Sequence, residues 1–207
     1  MSKAIIIIGN GGHASVLTET LITQGEKIIG FTAPVEEKNQ FSTPYLGNDE
    51  IIFNYPPADI ELVLGVGMVG PSLLREKIFR YFSNKGYIFK SVIHTSAIIA
   101  PSVKLGRGVQ IMAGVIIQTN AKIADNTIIN TGALVDHDCH IDQHVHIAPG
   151  TKLSGAVHIN QGTHIGTGAT IIQEIQVGEN CLVGAGSVVV KNIADGLTVF
   201  GVPAKEV

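Results

Sequence analysis

Histidine is the side chain whose charge changes most readily near neutral pH, and this 207-residue chain gathers six of its eight between His137 and His164. His140 and His158 lie eighteen residues apart, as do His146 and His164. Such imidazoles admit three readings: zinc ligands completed by neighbouring subunits, a general base, or solvated surface residues. His137-Asp138 stands out because a carboxylate adjoins the imidazole. That neighbour fixes the tautomer and stabilises the imidazolium, tuning the ring as a base near neutral pH. Cys139 and Cys181 read as buried hydrophobes with no disulfide between them, so no thiol nucleophile is expected.

A second chemical feature lies near the start. Lys3-Ala-Ile-Ile-Ile-Ile8 runs into Gly9-Asn-Gly-Gly-His13, and Ala14 to Gln24 carries a helix-like apolar face through Val16, Leu17, Thr20 and Leu21. A glycine turn ahead of a helix offers backbone N–H groups at the positive end of the helix dipole, a natural seat for a phosphate or pyrophosphate. The dinucleotide pattern also needs an acidic residue at the end of the second strand. Here that segment reads Phe31-Thr-Ala-Pro34, with no carboxylate, so NAD is disfavoured. Further strands are expected at 27–31, 61–66 and 88–92, and a helix over 71–84, with Pro71 suited to a first turn. Strands alternating with helices predict a small parallel sheet.

The histidines are positioned by something different. Aliphatic residues recur at every sixth position without a break, from Ile93, Ile99 and Leu105 through Ile129, Val135, Ile141 and Ile147 to Val183 and Val189. Neither a helix, at about 3.6 residues per turn, nor a strand, at about 2, produces that interval alone. Hexapeptide periodicity predicts a parallel β-helix. Two positions before each aliphatic the residue is small or β-branched, as at Ala121, Thr127, Ala133 and Cys139; three positions after, Gly, Asn and Asp dominate, as at Gly114, Asn120, Asn126, Gly132 and Asp138. The latter accept left-handed backbone geometry, so each hexapeptide is a short strand and a corner. About three hexapeptides make a coil, and coils are stable only when stacked.

Because the hexad starts abruptly near Ser91, two domains are expected, over 1–90 and 91–207. Lys plus Arg number 14 against 17 Asp plus Glu, and aromatics are 5%, which excludes a nucleic-acid surface. No apolar run reaches membrane-spanning length, and the apolar start is too short for a signal segment, so a cytoplasmic protein is expected.

The chain resembles the two-domain hexapeptide-repeat sugar acetyltransferases, a family that includes the bacillosamine-pathway UDP-4-amino-sugar N-acetyltransferase, the perosamine N-acetyltransferases and the sialic acid O-acetyltransferases. The resemblance covers nearly the whole chain. It is carried by Gly9-Asn-Gly-Gly-His13, by Ile129-Asn-Thr-Gly-Ala-Leu-Val-Asp-His137-Asp138 and by Phe200-Gly-Val-Pro-Ala-Lys205. It implies a Rossmann-like nucleotide-sugar-binding domain, then a left-handed β-helix assembled as a homotrimer, with acetyl-CoA as co-substrate between subunits and no metal. By matching positions, His137 resembles the catalytic base and Asp138 its acidic helper. His146, Gly155, Thr167 and Ala185 resemble cofactor-groove residues. Gly11, Gly12, His13 and Gly67 resemble contacts to a nucleotide-amino-sugar acceptor. The implied reaction is N-acetylation of a UDP- or GDP-linked 4-amino-deoxysugar; the alternatives are a sugar O-acetyltransferase, a zinc-dependent β-helix hydrase and a non-catalytic nucleotide-sugar scaffold. Two departures matter. Many family members carry aspartates after the second strand where this chain has Thr32-Ala-Pro34, and the bacillosamine enzyme has glutamate where this chain has Asp138. The shorter side chain predicts a longer or water-bridged contact with His137.

Overall fold

The structure is a computed structural model that describes residues 3–71 and 73–207. The chain divides into two compact units, one running to Gly67 and taking in Leu74–Val92, the other taking in Met68–Leu73 and Ile93–Val207.

In the first unit β1 (Ala4–Ile8) leads into α1 (Gly12–Thr23), followed by β2 (Ile28–Thr32), β3 (Tyr45–Gly47), a 3-10 helix (Asp49–Asn54), β4 (Ile60–Leu64) and α2 (Leu73–Asn84). The sheet order is β3-β2-β1-β4, all parallel. β1 is central and covered on both faces, which explains why it is a run of four buried isoleucines instead of an alternating strand. β3 and the 3-10 helix have no counterpart in the sequence reading. Three residues are too few to show a period, and the strand is defined by its partner, since Phe31 N–H donates to the Pro44 carbonyl and Ala33 N–H to that of Gly47. The strand expected over 88–92 shrinks to a single bridge between Phe89 and Leu62. Lys90 N–H still donates to the Leu62 carbonyl at 2.9 Å, while its ammonium pairs with Glu26 at 3.0 Å and Glu61 at 3.5 Å. The helix expected from Pro71 is described from Leu73, and Ser72 lies outside the described residues.

The second unit is a left-handed parallel β-helix. Two-residue strands pair with those eighteen residues away, as Lys122 with His140 and His140 with His158, so one coil is eighteen residues. The strands form three sheets, here called the His140 sheet (through Lys104, Lys122 and His158), the Leu134 sheet (through Ile98, Ile116 and Lys152) and the His146 sheet (through Ile128 and His164). The hexad aliphatics and the small residues two before them fill the interior, Cys139 and Cys181 among them as free buried thiols. Burial raises the Cys139 thiol to about 11.

At the corners from 108 to 186 every sixth residue takes positive φ, between +53° and +72°. Seven are glycines; Asn120, Asn126, Asp138, His144, Ala156, Glu174 and Asn180 are not. After the last coil, Thr198–Gly201 extends the His146 sheet and turns back as the antiparallel strand Ala204–Glu206.

Because the interior is a stack of interlocked aliphatics, truncating one central rung is expected to leave a cavity that its neighbours cannot close. Ile129→Ala should lower the unfolding free energy by about 2–5 kcal/mol, read as a fall in the denaturant midpoint.

Candidate active site

His137 and Asp138 sit on the corner joining the Leu134 sheet to the His140 sheet. Asp138 takes φ +59°, a conformation that aspartate tolerates better than most residues. Two adjacent side chains on an extended strand point to opposite faces; the left-handed corner turns them together instead. His137 Nδ1 lies 2.8 Å from Asp138 Oδ2. The contact is direct, so the longer or bridged distance expected of the shorter carboxylate is corrected: the corner backbone supplies the reach. An ionised carboxylate only accepts, which makes Nδ1 the donor and leaves Nε2 as the imidazole lone pair. Asp138 Oδ1 accepts from Asn120 Nδ2 at 3.2 Å, from the same corner one coil earlier. The His137 N–H donates to Asp136 Oδ1 at 2.7 Å.

The His137 ring lies over Gly155, eighteen residues on. A β-carbon added at Gly155 would come within 2.5 Å of His137 Cε1 and Nε2, so the glycine is required for the ring to rest there. The ring is still 55% exposed. The hydrogen bond to Asp138 holds the imidazole above its ordinary pKa, with Asp136 adding to the effect, and the same bond, with that from Asn120, holds Asp138 below the usual carboxylate range.

The other predicted residues of the β-helix lie elsewhere on it. Thr167 and Ala185 are exposed and stacked on the corner between the His146 and Leu134 sheets, where Gly186 N–H donates to the Thr167 carbonyl. The Leu134 sheet runs between that corner and the His137 corner, and its outer face holds a depression of about 390 Å³ lined by Ile116, Gln118, Leu134, Asp136, Lys152 and Ser154. His146 is buried. Asn130 Oδ1 accepts the Thr131 N–H, so Asn130 Nδ2 donates to His146 Nε2 at 3.1 Å; Nδ1–H must then donate to the Met68 carbonyl at 2.7 Å. With both nitrogens engaged, His146 is a neutral fixed ring, unable to act as base or metal ligand without losing a bond. The eighteen-residue spacing brings His140 to His158 and His146 to His164, with ring centroids at 5.5 and 4.8 Å. Burial lowers the pKa of His140 and of His164.

In the first unit, Gly9 at φ +97° makes the turn, and Gly11 caps α1 with no side-chain cap and no acidic residue in the first turn. The positive end of this helix therefore keeps its affinity for an anion at Gly12 and His13. Gly67, past the end of β4, faces this turn: an added β-carbon would sit 3.3 Å from His13 Cβ. Gly65 has the same kind of cause, since a β-carbon there would approach Ala14 Cβ to 2.7 Å and the Ile8 carbonyl oxygen to 2.9 Å.

Two residues that sequence reasoning missed complete these sites. Asn120 is one; its signal is its place eighteen residues before Asp138. Arg75 is the other, a buried arginine sharing the inner face of α2 with Phe79 and Phe82. It donates to the carbonyls of Leu64 at 3.0 Å and Val66 at 2.6 Å, fixing the chain beyond β4. Burial lowers the guanidinium to about 9, which still leaves it charged at neutral pH. A basic residue at an apolar helix position was the available signal.

A histidine–carboxylate pair on a hexapeptide prism, preceded in the chain by a glycine turn in a parallel-sheet unit, is the pattern of an acyltransferase of the hexapeptide type. Comparison with known proteins agrees. Residues 4–82 match the PglD N-terminal domain and residues 102–137 the bacterial transferase hexapeptide of six repeats. The acetyltransferase domain of PglB from Neisseria gonorrhoeae, solved with acetyl coenzyme A, is 33% identical, with all of both chains covered and a TM-score of 0.93. PerB from Caulobacter crescentus, solved with CoA and GDP-perosamine, is 36% identical over 99% of this chain and 97% of its own, at a TM-score of 0.90. WeeI from Acinetobacter baumannii is 27% identical over the whole of both chains, at 0.88. A search of curated proteins gives no match. The chain belongs to the family of hexapeptide-repeat sugar N-acetyltransferases.

The dyad makes a prediction independent of turnover. Asp138 raises the His137 pKa, so replacing it by asparagine removes the charge that favours the imidazolium. In an NMR titration His137 should titrate above the ordinary histidine value in the wild type, and at lower pH in Asp138→Asn.

Proposed function

We propose that this protein transfers the acetyl group of acetyl-CoA directly to the 4-amino group of a UDP- or GDP-linked amino-deoxysugar, with His137 as general base. The observation that carries this reading is the 2.8 Å bond from His137 Nδ1 to Asp138, which leaves Nε2 as the basic atom above Gly155. The neutral amine attacks the thioester carbonyl, and Nε2 takes the proton that the nitrogen loses. The imidazolium, stabilised by Asp138, then gives a proton to the departing thiolate of CoA. The Gly155 N–H is the candidate donor to the oxyanion. A buried Cys139 thiol with a raised pKa argues against an acyl-enzyme.

His146, Thr167 and Ala185 are assigned to the cofactor, His146 through its ring surface because its nitrogens are committed. Gly11, Gly12, His13 and Gly67 are assigned to the nucleotide-sugar, the helix end receiving its diphosphate. PerB, at 36% identity, was solved with GDP-perosamine, an acceptor of this class. A homotrimer fits the outer face of the Leu134 sheet, where Ile98 is 64% and Leu134 37% exposed. No helix among the described residues is long and apolar enough to cross a membrane. A cytoplasmic location suits an enzyme that draws on acetyl-CoA.

His137→Ala should lower turnover by about a hundredfold or more while calorimetry shows acetyl-CoA still binding; wild-type turnover would remove His137 from the mechanism. Gly155→Ala, which pushes the ring off its seat, should lower turnover on the order of a hundredfold, as displacements of about 1 Å can. Acetyl-CoA consumption against a panel of UDP- and GDP-amino sugars beside free sialic acid tests the acceptor, and activity confined to the hydroxyl acceptor would replace N- by O-acetylation.

A further inference from the structure

The segment Phe31-Thr-Ala-Pro34 at the end of β2 carries no carboxylate, but the structure brings one there from another element. β3 runs parallel to β2 with Gly47 beside Thr32, so the chain leaving β3 emerges at the carboxyl end of β2. Asn48 then caps the 3-10 helix by accepting the Glu50 N–H at 3.0 Å, and Asp49 becomes the helix's first residue. Asp49 Oδ1 accepts the Thr32 hydroxyl at 2.6 Å. Thr32 is fully buried and ends β2; its carbonyl accepts the N–H of Gly9, in the glycine turn, at 2.9 Å. Two hydrogen bonds thus link the anion-binding turn to the end of β2 and on to a partly exposed carboxylate.

The sheet order also reverses at β1, with β2 on one side and β4 on the other. Ligands of open parallel sheets bind at such a switch point, beyond the carboxyl ends of the strands, and an acidic residue at the end of β2 takes the ribose hydroxyls. We infer that Asp49 is the ribose-binding carboxylate of the acceptor site, and that this site selects ribonucleoside diphosphates over their 2′-deoxy counterparts. The Thr32 hydroxyl has one proton and gives it to Oδ1, which orients the carboxylate and leaves Oδ2 for the vicinal diol. The inference rests on the reading of this unit as a nucleotide-sugar site.

The test uses the full-length protein, with UDP, GDP and their 2′-deoxy forms as probes in calorimetry. The wild type should bind the better ribonucleotide at least about tenfold more tightly than its deoxy form, the scale of a charge-assisted hydrogen bond. Asp49→Asn should bind the ribonucleotide about tenfold more weakly and lose the discrimination, with the KM for acetyl-CoA unchanged. Thr32→Val removes the orienting bond but keeps the charge, and should retain most of the discrimination. Equal wild-type affinity for ribo and deoxy forms overturns the inference without any variant. So does Asp49→Asn with discrimination intact, or Thr32→Val as damaging as Asp49→Asn, which would make Asp49 a structural staple. A wild type that binds none of the four nucleotides overturns the nucleotide-sugar reading itself, and this inference with it.

Discussion

The solenoid depends on a backbone that turns left-handed at every sixth residue. For an L-residue other than glycine that conformation costs roughly 1–2 kcal/mol, so a chain that adopts it from 108 to 186 at seven residues other than glycine must recover the cost elsewhere. The return comes from coil stacking: each two-residue strand hydrogen-bonds to the coils on either side, and each hexad aliphatic is enclosed by those of its neighbours. Residues are therefore chosen for two jobs at once. Asn120, Asn126 and Asn180 reduce the strain because their short polar side chains tolerate the region. Asp138 does so too, and becomes the partner of His137 as a direct result.

The dyad is consequently a property of the corner more than of the pair. Side chains of adjacent residues seldom meet, but here the positive φ at Asp138 folds the carboxylate back to the imidazole, and Asn120 steadies it from the preceding coil. The coil after it supplies Gly155, whose missing side chain leaves room for the ring. Three stacked corners share in placing one imidazole.

Much of this was legible in the sequence because period and composition agree. The aliphatic hexad, the small interior phase and the Gly, Asn and Asp corners name the same fold three times. Ala156 and Glu174 also occupy left-handed corners, and neither composition nor propensity marks them; only the unbroken phase does. In the first unit, β1 and α1 were readable from a buried run and a glycine turn. β3 was not, because its three residues gain their identity from β2. Asp49 stayed hidden for the same reason: a pattern search looks along the chain just after the second strand, whereas this carboxylate arrives 17 residues after Thr32, on the 3-10 helix that follows the neighbouring strand. His146 shows the converse. Its type and spacing suggested a reactive imidazole, and its surroundings, Asn130 and Met68, reveal a committed one.

The eighteen-residue coil also sets which length changes a descendant of this gene could survive. A one-codon insertion within the prism throws every later aliphatic out of phase and into solvent. A six-codon insertion keeps the interior filled, yet rotates everything downstream by one face; placed between His137 and Gly155, it would carry the glycine to a different edge and strand the ring. Only a whole coil preserves the phase and the face, and even that, placed between Asn120 and Gly155, would separate the corners that meet at the imidazole. The three rungs around the ring are locked in number as well as in register.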